Sequence, residues 1–262
     1  MRFGNNKIFT AISIFCFLLI ISSIFSAVNG EKIFGNIYNT PIDSLLQDPS
    51  GRKLSLIKNI QQAPGSYICG AITIKMVMNY YFSQSENIMD IYNEVRSLTH
   101  NRGNSIERMT KYLINNGLYA SIIQFTDLKT ILDYCKNNQI PAIMIINALE
   151  NIYTTHTILF TGYNENKGIV HILDPAYNSR KVLTVGQLES NFTHYIFGYR
   201  TIPTISYQGN NIILVSDRLI GNREFKCSCK KINFIEDYLI DAIRYFTCYY
   251  CQVKIYVHRN GL

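Results

Sequence analysis

The chain has 262 residues, 47% of them apolar and 16% charged, a balance that excludes global disorder and a length that suits one large domain or one domain plus a small appendage. The formal net charge is +7. The basic residues are interleaved with acids and form no stripe, so the electrostatic footprint of a nucleic-acid binder is missing.

Arg2 and Lys7 precede a nearly uninterrupted apolar run from Ile8 to Val28, and Asn29-Gly30-Glu31 follow. Charge, apolar run and small residues in that order read as a secretory signal, with cleavage after Gly30. At about 20 residues the run is also long enough to span a bilayer as an uncleaved anchor. Residues 1–30 are therefore expected to be a signal peptide or signal anchor, which sends the rest of the chain outside the cytosol, secreted or periplasmic.

Residues 31–60 read as an irregular lead-in with turn residues from Asp48 to Gly51 and an apolar stretch at Leu54 to Ile57. Gln61-Gln62-Ala63-Pro64-Gly65-Ser66 is a loop by its Pro-Gly pair. Ile72, Met76, Val77 and Tyr80 have helical spacing within Gly70 to Phe82, and Ile91, Val95 and Leu98 repeat it within Ile88 to Thr99. Ser105 is an N-cap for a helix through Met109, Leu113 and Ile114 that Asn116-Gly117 would end. Thr126 or Asp127 caps another, from Leu128 to Cys135.

The pattern changes at Ile140. Ile140 to Asn147 is a continuous apolar run, as in a buried strand. Thr157 to Tyr163 and Gly168 to Leu173 flank Asn164-Glu165-Asn166-Lys167, which predicts a hairpin. Tyr195 to Ile202 is a further strand candidate, and Pro203 marks a boundary. Helices first and strands second give an α+β domain over 31–202. The tail, 203–262, reads as a small Cys-rich extension with a strand at Ile212 to Val215, a helix from Phe234 to Tyr249 and a last strand at Val253 to Val257.

Four residues carry a chemical pattern. Cys69 lies where a Pro-Gly loop meets an amphipathic helix, and the N–H groups and dipole of a helix N-terminus favour a thiolate. Taken alone, Cys69 reads more readily as a small buried hydrophobe. His156 opens a strand after the polar loop Tyr153-Thr154-Thr155. Asp174 ends the returning strand, and pairing centred on residue 165 would set it opposite His156 on one face, with Cβ atoms about 5 Å apart. A carboxylate there orients an imidazole and stabilises its charge, while Asp174-Pro175 is otherwise a turn starter. Gln62, with Gln61 beside it, precedes Cys69 and would supply an oxyanion donor with the Cys69 backbone N–H.

Gln61-Gln62 and the run Cys69-Gly70-Ala71-Ile72-Thr73-Ile74-Lys75-Met76-Val77-Met78-Asn79-Tyr80-Tyr81 resemble the nucleophile segment of C39-like papain-fold cysteine peptidases. His156-Thr157-Ile158-Leu159-Phe160-Thr161-Gly162-Tyr163 and Ile172-Leu173-Asp174-Pro175-Ala176-Tyr177 resemble that family's His and Asp segments. The resemblance spans roughly residues 55–202. It implies a papain-like fold, a helical half carrying the Cys and an antiparallel sheet half carrying His and Asp. It also implies Cys69 as nucleophile, His156 as base and acid, Asp174 as orienter and Gln62 as oxyanion donor, acting on a peptide or protein substrate without cofactor or metal. The family usually has Pro after Cys-Gly, where this chain has Ala71. Members that cleave double-glycine leaders are joined to a transporter and work in the cytosol, so that substrate is not carried over. A thiol acyltransferase, a non-catalytic binding module of the same fold and a membrane-tethered structural protein are the competing classes.

Of seven cysteines, Cys227, Cys229, Cys248 and Cys251 cluster in the tail. In an oxidising compartment they read as two disulfides, which the secretory signal favours; in a reducing one they read as a tetrahedral zinc site, and free thiols are the third reading. Asn191-Phe192-Thr193 fits a glycosylation acceptor for a eukaryotic secretory route. His100, His171, His194 and His258 receive no role, and His171 is expected to face away from Asp174 by strand parity.

Overall fold

The described residues form five α-helices, most of them early in the chain, and ten strands, most of them later. In the computed structural model the described residues are 52–82, 86–97, 104–148, 151–192 and 210–257, with only the backbone described for 147, 148 and 151–155. They belong to one unit, Leu46–Leu262. The signal or anchor segment and the Tyr195 to Ile202 candidate lie outside the described residues.

The helices are α1 (Cys69–Phe82), α2 (Ile88–Val95), α3 (Ile106–Asn115), α4 (Leu128–Asn137) and α5 (Val185–Phe192). The caps follow the sequence: Ser105 Oγ accepts from Arg108 N–H, and Asp127 Oδ1 accepts from Lys129 and Thr130 N–H. Asn87 caps α2 in the same way. α1 is buried continuously from Gly70 to Met78, so it is a core helix rather than the amphipathic helix its spacing predicted.

The strands are β1 (Tyr119–Phe125), β2 (Ala142–Ala148), β3 (Asn151–Asn164), β4 (Ile169–Leu173), β5 (Arg180–Thr184), β6 (Asn211–Ser216), β7 (Arg223–Lys226), β8 (Ile232–Ile235), β9 (Ile243–Thr247) and β10 (Lys254–Tyr256). Eight form one antiparallel sheet in the order β10-β9-β1-β6-β2-β3-β4-β5, and among the described residues β7 pairs only with β8. In the middle of the sheet consecutive residues are buried, as in Ala142-Ile143-Met144 and Ile158-Leu159-Phe160. Neither sheet face is open to water there, which is why these strands read as unbroken apolar runs rather than alternating ones. α1 packs on β3 and α2, α3 on β1, and α4 and α5 on each other and on β3 and β2.

The sheet runs across residue 203. β6 lies between β1 and β2, with Ile213 opposite both Ile122 and Ile143. Tyr81 at the end of α1 donates its hydroxyl to the Val215 carbonyl at 2.8 Å. Tail strands β9 and β10 extend the same sheet beyond β1. The helix expected from Phe234 to Tyr249 is instead β8, a 3-10 turn at Asp237–Ala242 and β9. Its aromatic and β-branched residues are held by pairing on both sides of β9, which overrides the helical spacing. The tail's two expected disulfides are not formed; all four thiols are free and converge at one place.

Candidate active site

Cys69 is the first residue of α1, and its carbonyl accepts the Thr73 hydroxyl at 2.8 Å. The loop before it turns at Gly65, whose φ of +73° a side chain would resist. Gly70 is needed for a different reason. A Cβ at that position would stand 2.6 Å from Asn104 Oδ1, because the Asn104 amide folds over it and accepts the Gly70 N–H at 3.0 Å. Sequence reasoning anticipated a close backbone approach at Gly70 but gave no sign of Asn104 as the neighbour.

His156 lies inside β3 rather than at its start, because pairing with β2 continues past it to Asn151 opposite Ala148. Its Nε2 is 2.5 Å from Asp174 Oδ1. The expected direct pairing is not how they meet. Leu159 stands opposite Leu173 and Phe160 opposite Ile172, with a bulge before Gly162. That register sets Asp174 past the last pair, two residues away from the position that faces His156. The bulge at Thr161 and the 3-10 turn at Glu165–Lys167 move the centre of the hairpin. The contact is diagonal, made possible because Asp174 has left the strand and lies in the turn, its Oδ1 also accepting the Ala176 N–H at 2.9 Å.

The three side chains form a chain of hydrogen bonds. Asp174 takes His156 Nε2, which leaves Nδ1 as the ring nitrogen for the hydrogen bond to Cys69. Burial lowers the basicity of His156, but the hydrogen bond to Asp174, followed by the hydrogen bond and charge of Cys69, raises its pKa to about 9. Burial likewise opposes ionisation of Cys69; the hydrogen bond and charge of His156, with further hydrogen bonds from Thr157, outweigh it and hold the thiol below its ordinary value. Each group favours the charged form of the other. Thr157 was not singled out by the sequence; its place next to His156 on the strand is the only signal it carries.

Gln62 is docked beside this chain. Its backbone N–H donates to the Pro175 carbonyl at 2.8 Å, tying the loop before Cys69 to the turn that holds Asp174. The Gln62 Oε1 is buried with no hydrogen-bond partner among the described residues, while Gln61 is exposed. Of the two glutamines, Gln62 is thus the one whose side-chain oxygen is buried. The other atoms of this kind at the site are Asp174 Oδ2 and Asn104 Nδ2.

Residues 57–200 match the profile of the Peptidase C39 family. The chain belongs to the peptidase C39 family. This C39 chain is accordingly a cysteine peptidase with the mixed helix and antiparallel sheet of the papain-like fold. Solved structures similar to it include a double glycine motif protease from an AMS/PCAT transporter in complex with its leader peptide, at 17% identity over 63% of this chain and 95% of that one, TM-score 0.43. Another is the peptidase domain of Streptococcus ComA, at 13% identity over 62% and 99%, TM-score 0.46. A third is a C39-like peptidase from Bacillus anthracis, at 17% identity over 63% and 97%, TM-score 0.46. No curated protein matches the chain. In this C39 chain the Ala71 that replaces the family's usual Pro is fully buried, and α1 still begins at Cys69.

A cavity lies elsewhere. It measures about 1110 Å³ and is lined by Arg52, Thr161, His171 and Arg180 among others, with none of the four candidate residues on its wall. Arg180 donates there to Thr161 Oγ1 and to the Ser55 carbonyl, both at 2.9 Å. His171 therefore serves that cavity and not the Cys69 site, as strand parity predicted.

Proposed function

We propose that the chain hydrolyses peptide bonds outside the cytosol, with Cys69 as nucleophile, His156 as acid and base, Asp174 as the residue that positions His156, and Gln62 as oxyanion donor. The observation that carries this reading is the imidazole of His156 hydrogen-bonded to Asp174 on one side and to the helix-terminal Cys69 on the other. The location follows from the charged, apolar and small-residue order of residues 1–30.

The Cys69 thiolate attacks the carbonyl carbon; a C–S bond forms and the carbonyl π pair moves to oxygen. The oxyanion accepts hydrogen bonds from the Gln62 side-chain amide and the Cys69 backbone N–H. The Gly70 N–H is committed to Asn104 and is not assigned this task. When the pair returns, the C–N bond breaks and the His156 imidazolium gives its proton to the departing amine. His156 then takes a proton from water, whose oxygen attacks the thioester carbon. Cleavage of the C–S bond releases the acid and restores the thiolate.

The test uses the full chain with iodoacetamide, followed by peptide mapping across pH. Cys69 should label selectively below pH 7, and His156→Ala should abolish that selectivity. Equal slow labelling of every thiol would refute the activated pair. Peptide hydrolysis that survives Cys69→Ser would refute the assignment of the nucleophile. Exclusive transfer of the acyl group to added amines, without hydrolysis, would make the chain a transferase instead.

A further inference from the structure

The four tail cysteines come from two hairpin tips. Cys227-Ser228-Cys229 sits between β7 and β8, and Cys248-Tyr249-Tyr250-Cys251 between β9 and β10. The two tips are built alike. In the first, Cys227 N–H donates to the Lys231 carbonyl and Lys230 N–H returns to the Cys227 carbonyl, both at 2.9 Å. In the second, Cys248 N–H donates to the Val253 carbonyl at 2.9 Å and Gln252 N–H returns to the Cys248 carbonyl at 3.0 Å. The residue after the second cysteine of each tip is left-handed, Lys230 at φ 68° and Gln252 at φ 61°. Neither is a glycine, so each tip holds a conformation that its side chain resists.

All four sulfurs lie within 4.8 Å of one another, with Cys227 to Cys251 at 3.4 Å and Cys229 to Cys248 at 3.7 Å. A tetrahedron of thiolates around zinc, with Zn–S about 2.3 Å, has edges of about 3.8 Å. The sulfurs are also provided with donors suited to thiolates. The N–H two residues after the first cysteine of each tip points at that cysteine's sulfur: Cys229 N–H to Cys227, and Tyr250 N–H to Cys248 at 3.4 Å. The fully buried Asn233 adds its amide to Cys248 Sγ at 3.4 Å and braces the tip by accepting the Tyr249 N–H at 2.9 Å. Such hydrogen bonds orient ligands and spread their charge.

We propose that Cys227, Cys229, Cys248 and Cys251 hold a structural zinc ion. Zn²⁺ binding displaces four thiol protons and forms four Zn–S bonds, leaving the centre with a charge of −2 that Lys226, Lys230 and Lys231 flank in sequence. Four protein ligands leave no open position, so the centre is structural rather than catalytic. The fold gives it a task. β7 and β8 form a two-stranded sheet that pairs with no other strand among the described residues, an arrangement marginal by itself in water. The metal would staple that hairpin to the β9–β10 edge of the main sheet. This proposal is independent of the chemistry assigned to Cys69.

Purified full-length protein, prepared without chelator, is examined by elemental analysis. The expected result is one zinc per chain, retained in Cys69→Ser and lost in Cys229→Ser/Cys251→Ser. Should the double variant fail to fold, the wild type decides. Cys229 and Cys251 are exposed, so as free thiols they label with iodoacetamide at once; as zinc ligands they label only after a chelator is added. Co²⁺ exchanged into the site should give the visible bands of a tetrahedral thiolate centre. Immediate labelling, iron in place of zinc, or recovery of Cys227–Cys251 and Cys229–Cys248 disulfides from unreduced protein would each overturn the proposal.

Discussion

Replacing Asp174 with Asn keeps the shape of the side chain and removes its charge. In the intact site the His156 pKa is raised from 6.5 to about 9 despite burial, and the first of the groups that raise it is Asp174. At about 1.4 kcal/mol per pH unit, the folded protein favours the charged ring by about 3 kcal/mol. That stabilisation is fully present below the ordinary imidazole pKa and is lost as pH rises through about 9. Asp174→Asn should remove about 1–2 kcal/mol of it, since Asp174 acts both through its hydrogen bond and through its charge. The His156 titration, followed by NMR of its ring protons, should then move down by about one pH unit or more. Cys69 should become harder to ionise in step, because the imidazolium that stabilises its thiolate is less populated. Iodoacetamide labelling of Cys69 near neutral pH should slow, and hydrolysis should fall by about 10²-fold or more. An unmoved His156 titration would refute the reasoning, whatever happened to activity. It would mean that burial and Cys69 alone set the state of the imidazole.

Gln62→Ala should lower kcat by about 10²–10³ without moving the His156 titration, whereas Gln61→Ala, at an exposed position, should change neither; steady-state kinetics and NMR separate the two. Gly70→Ala drives a Cβ to 2.6 Å from Asn104 Oδ1 and should cost about 1–3 kcal/mol in urea unfolding, with Gly70→Ala/Asn104→Ala recovering part of the loss. Gly221→Ala should be more damaging, because φ is +138° and the new Cβ would meet the Ile235 backbone nitrogen at 2.4 Å; the expected outcome is a thermal midpoint far below that of the wild type. Cys135 is fully buried and its thiol is pushed well above the ordinary range by that burial, so iodoacetamide should reach it only in denaturant.

The helical half was readable because its signals are local. Ser105, Asp127 and the spacing in α1 to α4 act within a few residues of the positions they specify. Strands β1 and β5 and helix α5 went unread. β1 buries six consecutive residues from Ala120 to Phe125, which gives no alternation to detect, and its partners β6 and β9 come from the far end of the chain. The same non-locality explains the tail. A segment that begins with Phe234 and ends with Tyr249 shows helical spacing until the pairing of β9 with β1 and β10 is known.

The proximity of His156 and Asp174 was inferred from one register and arises from another. Equal distances from residue 165 would have made them direct cross-strand partners, yet Asn164 pairs with Ile169, which moves the register by three positions, and the one-residue bulge at Thr161 takes one back, leaving a shift of two. Side chains at i and j±2 share a face of the sheet, so a shift of two preserves which residues can meet while changing how they meet. A shift of one would have sent Asp174 to the opposite face. The turn alone sets such an odd register, and the bulge at Thr161 restores the parity on which the inference depended. The same parity places His171 on the wall of the separate cavity, against Gly162 and away from Cys69.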